Sequence, residues 1–141
     1  MLTRTAARSN AKSKGMPRVR LPQGLKIAVI VPCYNEEAAI GTVVKQFRAS
    51  LPGADIYVYD NNSKDGTIAA AKKAGAIVGT ETRQGKGHVV RRMFGDIDAD
   101  VYVMIDGDAT YHAPSAPKMV ATLVDEKLDM LVGARVDQEK A

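Results

Sequence analysis

Ile27-Ala28-Val29-Ile30-Val31-Pro32-Cys33-Tyr34-Asn35-Glu36-Glu37 passes from an unbroken apolar run into a proline, a tyrosine and acids. A continuous apolar run of this length is expected of a strand covered on both faces, as in a parallel sheet, where a half-solvated strand would alternate. The same arrangement recurs downstream. Ile56–Tyr59 leads into Asp60-Asn61-Asn62-Ser63-Lys64-Asp65-Gly66-Thr67, and Val101–Ile105 leads into Asp106-Gly107-Asp108. Ligands of open parallel sheets bind beyond the carboxyl ends of the strands, so three polar loops at three such ends are expected to converge on one site. That site is rich in carboxylates and poor in nucleophiles.

The intervening segments read as helices. Ile40, Val43, Val44 and Phe47 follow the i, i+3, i+4, i+7 spacing of one buried stripe, which stops before Pro52-Gly53. Thr67–Ala74 is a short helix ended by Gly75, and Ala76–Gly79 is a weak third strand. Gly87–Ile97 places Val90, Met93, Phe94 and Ile97 on one face. Pro114 or Pro117 starts the next helix, with a stripe of Val120, Leu123, Val124 and Leu128, and Met130–Gly133 closes the series as a fifth strand. Regular alternation of strand and helix predicts a three-layer α/β/α fold with a mostly parallel sheet and right-handed crossovers.

At 141 residues the chain amounts to one domain. Its formal charge of +4 is unevenly placed: residues 1–26 hold seven of the twenty basic residues and no acid, which leaves thirteen against sixteen acids in the remainder. The expected organisation is a basic, disordered tail over residues 1–25, a folded domain over 26–136 and a polar end at 137–141. A task for the tail at an anionic surface stays open, as does an organelle leader or a start at Met16; no nucleic-acid partner is expected. No stretch approaches the about 18 apolar residues of a membrane span, and the leader lacks a signal peptide's apolar block, so the chain is read as cytoplasmic, with peripheral contact to a membrane left open. The single cysteine, Cys33, gives neither a disulfide framework nor a cysteine zinc site and is read as a packing residue.

The stretch 27–37, the Asp60–Thr67 loop, Gly85-Lys86-Gly87 and Asp106-Gly107-Asp108 together resemble the inverting family 2 glycosyltransferases of the GT-A (Rossmann-like) fold, most of all those that transfer sugars to polyprenyl or dolichyl phosphates. The resemblance covers about residues 26–136 in order and spacing. It implies a nucleotide-sugar donor (a UDP- or GDP-sugar), Mg²⁺ or Mn²⁺ as cofactor, and a lipid-phosphate acceptor at a membrane surface as one option. It implies roles as well: Asp108 as principal metal ligand, Asp106 on the nucleotide or sugar side of the metal, Asp60 at the base or ribose, and Pro32, Tyr34 and Glu36 in the first nucleotide-contacting loop.

Each motif also has a plainer reading. Asp-Gly-Asp alone is an ordinary turn, although paired carboxylates beyond a buried strand supply hard oxygen ligands for a cation on a diphosphate. On the plainer reading Asn35 and Glu36 open a helix and complement its dipole. Asn61 and Asn62 depart from the family's commoner Asp-Asp-Gly-Ser form, which leaves the base unassigned; Ser63 and Asp65 are expected to cap the following helix. Gly85 and Lys86 let backbone amides and one ammonium approach phosphate, but the spacing is neither a P-loop nor a dinucleotide fingerprint. His88 is read as a surface histidine; Tyr111 and His112 follow the metal loop, where a role in positioning the donor sugar or acceptor stays open, and His112 is not read as a metal ligand.

The family extends beyond the point corresponding to Met130–Gly133, and much of its acceptor site and, in many members, its catalytic carboxylate belong to that later part. The expectation is therefore a truncated GT-A domain with no catalytic base assigned, and with a second chain as one possible source of the rest. An inactive or partner-dependent nucleotide-binding fragment is the competing non-enzyme reading. A nucleotidyltransferase is the competing enzyme class, but it is expected to carry a glycine-rich basic loop where this chain has Pro32–Glu36.

Overall fold

The first strand, β1 (Ile27–Cys33), is buried along its whole length. Its alternate side chains enter two different cores. Val29 and Val31 pack in the larger cluster with Ile40, Val44 and Phe47, whereas Ala28 and Ile30 join Val89, Met93 and Ile97 on the opposite face. This explains why the run does not alternate: neither face meets water. Each such aliphatic side chain contributes about 1.5–3 kcal/mol on burial.

The computed structural model describes residues 19–134, so the expectations for the basic tail and the polar end fall largely outside the described residues. After β1 come α1 (Glu37–Ser50), β2 (Asp55–Asp60), α2 (Thr67–Lys73), β3 (Ile77–Thr80), α3 (Lys86–Asp96), β4 (Val101–Met104), a 3₁₀ turn at Ala113–Ser115 and α4 (Ala116–Asp125). The sheet order is β3-β2-β1-β4 and every pairing is parallel, with Val31 opposite Val58 and Val29 opposite Val103. The predicted three-layer α/β arrangement is present.

In α1 the four expected residues, Ile40, Val43, Val44 and Phe47, are all buried. Gly75 ends α2 at a φ of +96°, and its carbonyl accepts a 3.0 Å hydrogen bond from Arg48 Nη2 of α1. Both prolines serve as expected, Pro114 in the 3₁₀ turn and Pro117 in the first turn of α4.

Two expectations are corrected. The inner face of α3 is Val89, Met93 and Ile97 instead of Val90, Met93, Phe94 and Ile97; Phe94 is 46% exposed and lies edge-on against Tyr102, with ring centroids 4.9 Å apart. Met130–Gly133 is not a strand. Met130 and Val132 are 65% and 67% exposed while Leu131 is buried, so the segment is anchored by one side chain, and a strand exists only where a neighbour completes its hydrogen bonds. No helix among the described residues is long and apolar enough to cross a membrane.

Candidate active site

Three loops leave the carboxyl edge of the sheet side by side. Pro32 lies in a central strand, a place that normally penalises a residue without an N–H, but it falls beyond Ile30↔Met104, the last β1–β4 pair. The even-numbered residues of β1 face β4, as the 3.2 Å bond from Ile105 N–H to the Ile30 carbonyl shows. Pro32 therefore costs no ladder bond, and it sits where β1 and β4 part to open a cleft.

The β1 and β2 loops are fastened to each other. Asn35 adopts a left-handed φ of +51°, and its N–H donates to Ser63 Oγ (2.8 Å) while its Oδ1 accepts from Lys64 N–H (2.9 Å). Glu36 N–H donates to Thr67 Oγ1 (2.9 Å), Glu37 N–H to Asp65 Oδ2 (3.3 Å), and Gly66 N–H to Glu37 Oε1 (3.1 Å). Ser63 thus holds the first loop and does not cap α2, contrary to expectation. Asp65 does serve the start of that helix, accepting from Thr67 N–H at 3.0 Å and from the Thr67 hydroxyl, and these bonds hold its carboxyl below the usual aspartate range.

Asp60 is 2% exposed. Its Oδ2 accepts from Ser63 N–H at 2.9 Å, while its buried Oδ1 has no hydrogen-bond partner. A buried carboxylate oxygen without a donor is costly.

Beside the β2 loop, Gly85 takes a φ of +130° that side-chain-bearing residues avoid, and Lys86 begins α3 directly after it. Lys86 Nζ lies 2.5 Å from Asp106 Oδ1. Gly107 is required by space: a Cβ there would lie 2.7 Å from Cys33 Sγ and 3.3 Å from Glu36 Cγ. Cys33 is buried against this glycine, and burial first, then Glu36, Asp60 and Asp106, push its thiol up to about 12, which makes it inert as a nucleophile. Asp108 Oδ1 accepts from Thr110 Oγ1 at 2.8 Å.

The result is a cleft of about 410 Å³. Of the residues expected from the sequence, Pro32, Tyr34, Glu36, Gly85, Lys86, Asp106 and Asp108 line it together, whereas Asp60 lies outside its lining. Asn61, Gln84 and Val89, not anticipated, also line it. Asn61 and Gln84 carry no signal in the sequence beyond polarity, since their role depends on which loops face each other. His112 stands apart, its Nδ1 2.7 Å from Ser115 Oγ.

The cleft is electronegative on one side. Burial, then Asp108 and Asp106, raise the Glu36 carboxyl above its ordinary range. Among the described residues no group of three His, Cys, Asp or Glu is arranged to hold a metal. Asp106 and Asp108 fit a different demand, because Mg²⁺ is commonly held by one or two carboxylates while substrate phosphates and water complete its shell. Asp106 already takes a cationic partner, the Lys86 ammonium, so a positive charge is accommodated here.

A parallel α/β domain with this acidic cleft at its strand ends is a GT-A glycosyltransferase domain, the fold of its structural neighbours. The chain belongs to glycosyl transferase family 2, whose profile matches residues 28–140. It is 56% identical to the protein RfbJ of Shigella flexneri over 109 residues, covering 77% of this chain and 84% of RfbJ. It is 34% identical to a dolichyl-phosphate hexose transferase of Haloferax volcanii over 110 residues, covering 78% of this chain and 48% of the relative. Among solved structures, glucosyl-3-phosphoglycerate synthase of Mycobacterium tuberculosis in complex with Mn²⁺, UDP-glucose and phosphoglyceric acid superposes with a TM-score of 0.69 at 28% identity, over 86% of this chain and 46% of that one. The chain therefore spans most of RfbJ but about half the length of the other two.

Proposed function

We propose that the cleft binds the nucleoside diphosphate of a nucleotide sugar together with Mg²⁺ or Mn²⁺, and that this chain is the donor-binding part of an inverting glycosyltransferase. The observation that carries the proposal is the convergence of Lys86, Asp106, Asp108 and Glu36 on one cleft at the strand ends. Tyr34, 48% exposed at the rim, offers a face to a base or ribose. Gly85 and Lys86, at the start of α3, hold the phosphates. Asp108 and Asp106 would hold the divalent cation, which would neutralise the charge gained by the departing diphosphate.

The dolichyl-phosphate hexose transferase relative supports a polyprenyl phosphate as the acceptor. Such a phosphate monoester has a second pKa of about 6 and is largely ionised near neutral pH, so attack at the anomeric carbon needs no strong general base. A sugar hydroxyl acceptor needs one, and the first reading assigns none to this chain. A second reading, a nucleotide-binding unit that turns over only with another chain, is favoured by the exposure of Met130 and Val132.

Calorimetric titration of the chain with UDP- and GDP-sugars, with and without Mn²⁺, beside Asp108→Asn tests the proposal. The expected result is metal-dependent binding of one nucleotide class, weakened roughly a hundredfold by the substitution, as befits loss of an ionised ligand. A folded chain that binds neither donor with Mn²⁺ contradicts it.

A further inference from the structure

We propose that Asn61 is a positioning residue: its carboxamide clamps the strap of residues 81–85 and so holds Lys86 across the cleft from Asp106. The use of Lys86 on a diphosphate rests on the function proposed above; the clamp itself does not.

A carboxamide offers two N–H donors and one oxygen with two lone pairs. In Asn61 all of these are engaged with the strap. Nδ2 donates to the Glu81 carbonyl at 2.8 Å and to the Arg83 carbonyl at 2.9 Å. Oδ1 accepts from Gly85 N–H at 2.8 Å and from Gln84 Nε2 at 3.0 Å. Asn62, in a left-handed φ of +67°, adds bonds from its Nδ2 to the Thr82 carbonyl at 2.9 Å and to Gln84 Oε1 at 3.0 Å. Two neighbouring amides therefore bind every residue from 81 to 85, and Gly85 then turns the chain so that Lys86 Nζ reaches Asp106.

Although Asn61 lines the cleft, it has no donor or acceptor left for a nucleotide base. The asparagine therefore sets the strap's geometry and does not read the base. An aspartate at this position keeps acceptors for Gly85 and Gln84 but loses both donors, and it places a charged oxygen against the Glu81 and Arg83 carbonyls, leaving both without their donor.

The test uses the full chain as parent, Asn61→Asp, Lys86→Met and the double variant, with exposed Asn62→Ala as a variant that keeps the Asn61 clamp. Without ligand, the Lys86 ammonium is followed by NMR. A slowly exchanging, ion-paired signal is expected in the parent, lost in Asn61→Asp and weakened in Asn62→Ala. With Mn²⁺ and UDP, Asn61→Asp and Lys86→Met are each expected to lower affinity about tenfold and their double variant no further than Lys86→Met alone, the non-additivity of residues acting through one contact. An unchanged Lys86 signal in folded Asn61→Asp and in Asn62→Ala overturns the proposal, as do losses that multiply in the double variant. If the parent binds no UDP, the nucleotide reading falls while the Lys86 signal still decides the clamp.

Discussion

The two walls of the cleft are built differently. On the β1–β2 side, the loops 33–37 and 60–67 and the strap 81–85 are tied together by side chains bonded to the backbone of a neighbouring loop, as with Ser63 to Asn35, Thr67 to Glu36 and Asn61 to Gly85. On the β4 side, one tie crosses the cleft from Lys86 to Asp106 and another runs from Ser50 Oγ to the Ala113 carbonyl, Asp108 bonds to Thr110 two residues on, and beyond α4 Met130 and Val132 face solvent. Bonds between loops separated by tens of residues fix loop positions relative to one another. The first wall, tied along three segments, is therefore preorganised; in the second, the carboxylates of Asp106 and Asp108 are where a bound cation would bear, and ordering on binding is expected there.

Substitutions on the two sides should separate accordingly. Ile40, fully buried between α1 and the sheet beneath the tied loops, should lose about 2–5 kcal/mol on change to Ala, measured by denaturant unfolding. Gly107→Ala probes the seam between the walls. Its Cβ meets Cys33 Sγ at 2.7 Å, so a loss of about 1–3 kcal/mol is expected, and adding Cys33→Ala should recover part of it.

A smaller, pH-dependent effect is expected at Glu81. This buried acid accepts from Arg83 N–H at 2.7 Å, and that bond first, with the charges of Arg83 and Arg92, lowers its carboxyl below the ordinary 4.5. A lowered folded value means that its stabilisation is present above the ordinary value and is lost as pH falls through the lowered one. Glu81→Gln should therefore flatten the acid limb of a thermal-midpoint profile below about pH 4.5. Val132→Ser should change stability by less than about 0.5 kcal/mol, because its side chain is two-thirds exposed. A large loss there would show that the β4 side is as firmly packed as its opposite.

The comparison also marks what the sequence could reveal. β1 and α1 were legible because burial on both faces and a single helical stripe each leave one solution. α3 was not, since Val89, Val90, Met93, Phe94 and Ile97 contain two overlapping stripes one residue apart, and only the sheet's position selects Val89, Met93 and Ile97. The apolar Met130–Gly133 reads as a strand, but hydropathy does not supply a partner edge. The cleft's charged residues were legible because strand ends set their place. The clamp by Asn61 and the burial of Asp60 behind the cleft depend on contacts between loops about twenty residues or more apart, which no local pattern encodes.

Hydrogen exchange of the backbone amides, with and without UDP and Mn²⁺, tests the central claim most directly. The account predicts amides of 33–37, 60–67 and 81–86 already protected in the free chain and little changed, with the gain in protection concentrated at Asp106–Tyr111. Fast exchange across the first three segments in the free chain, slowed only by the nucleotide, would contradict it.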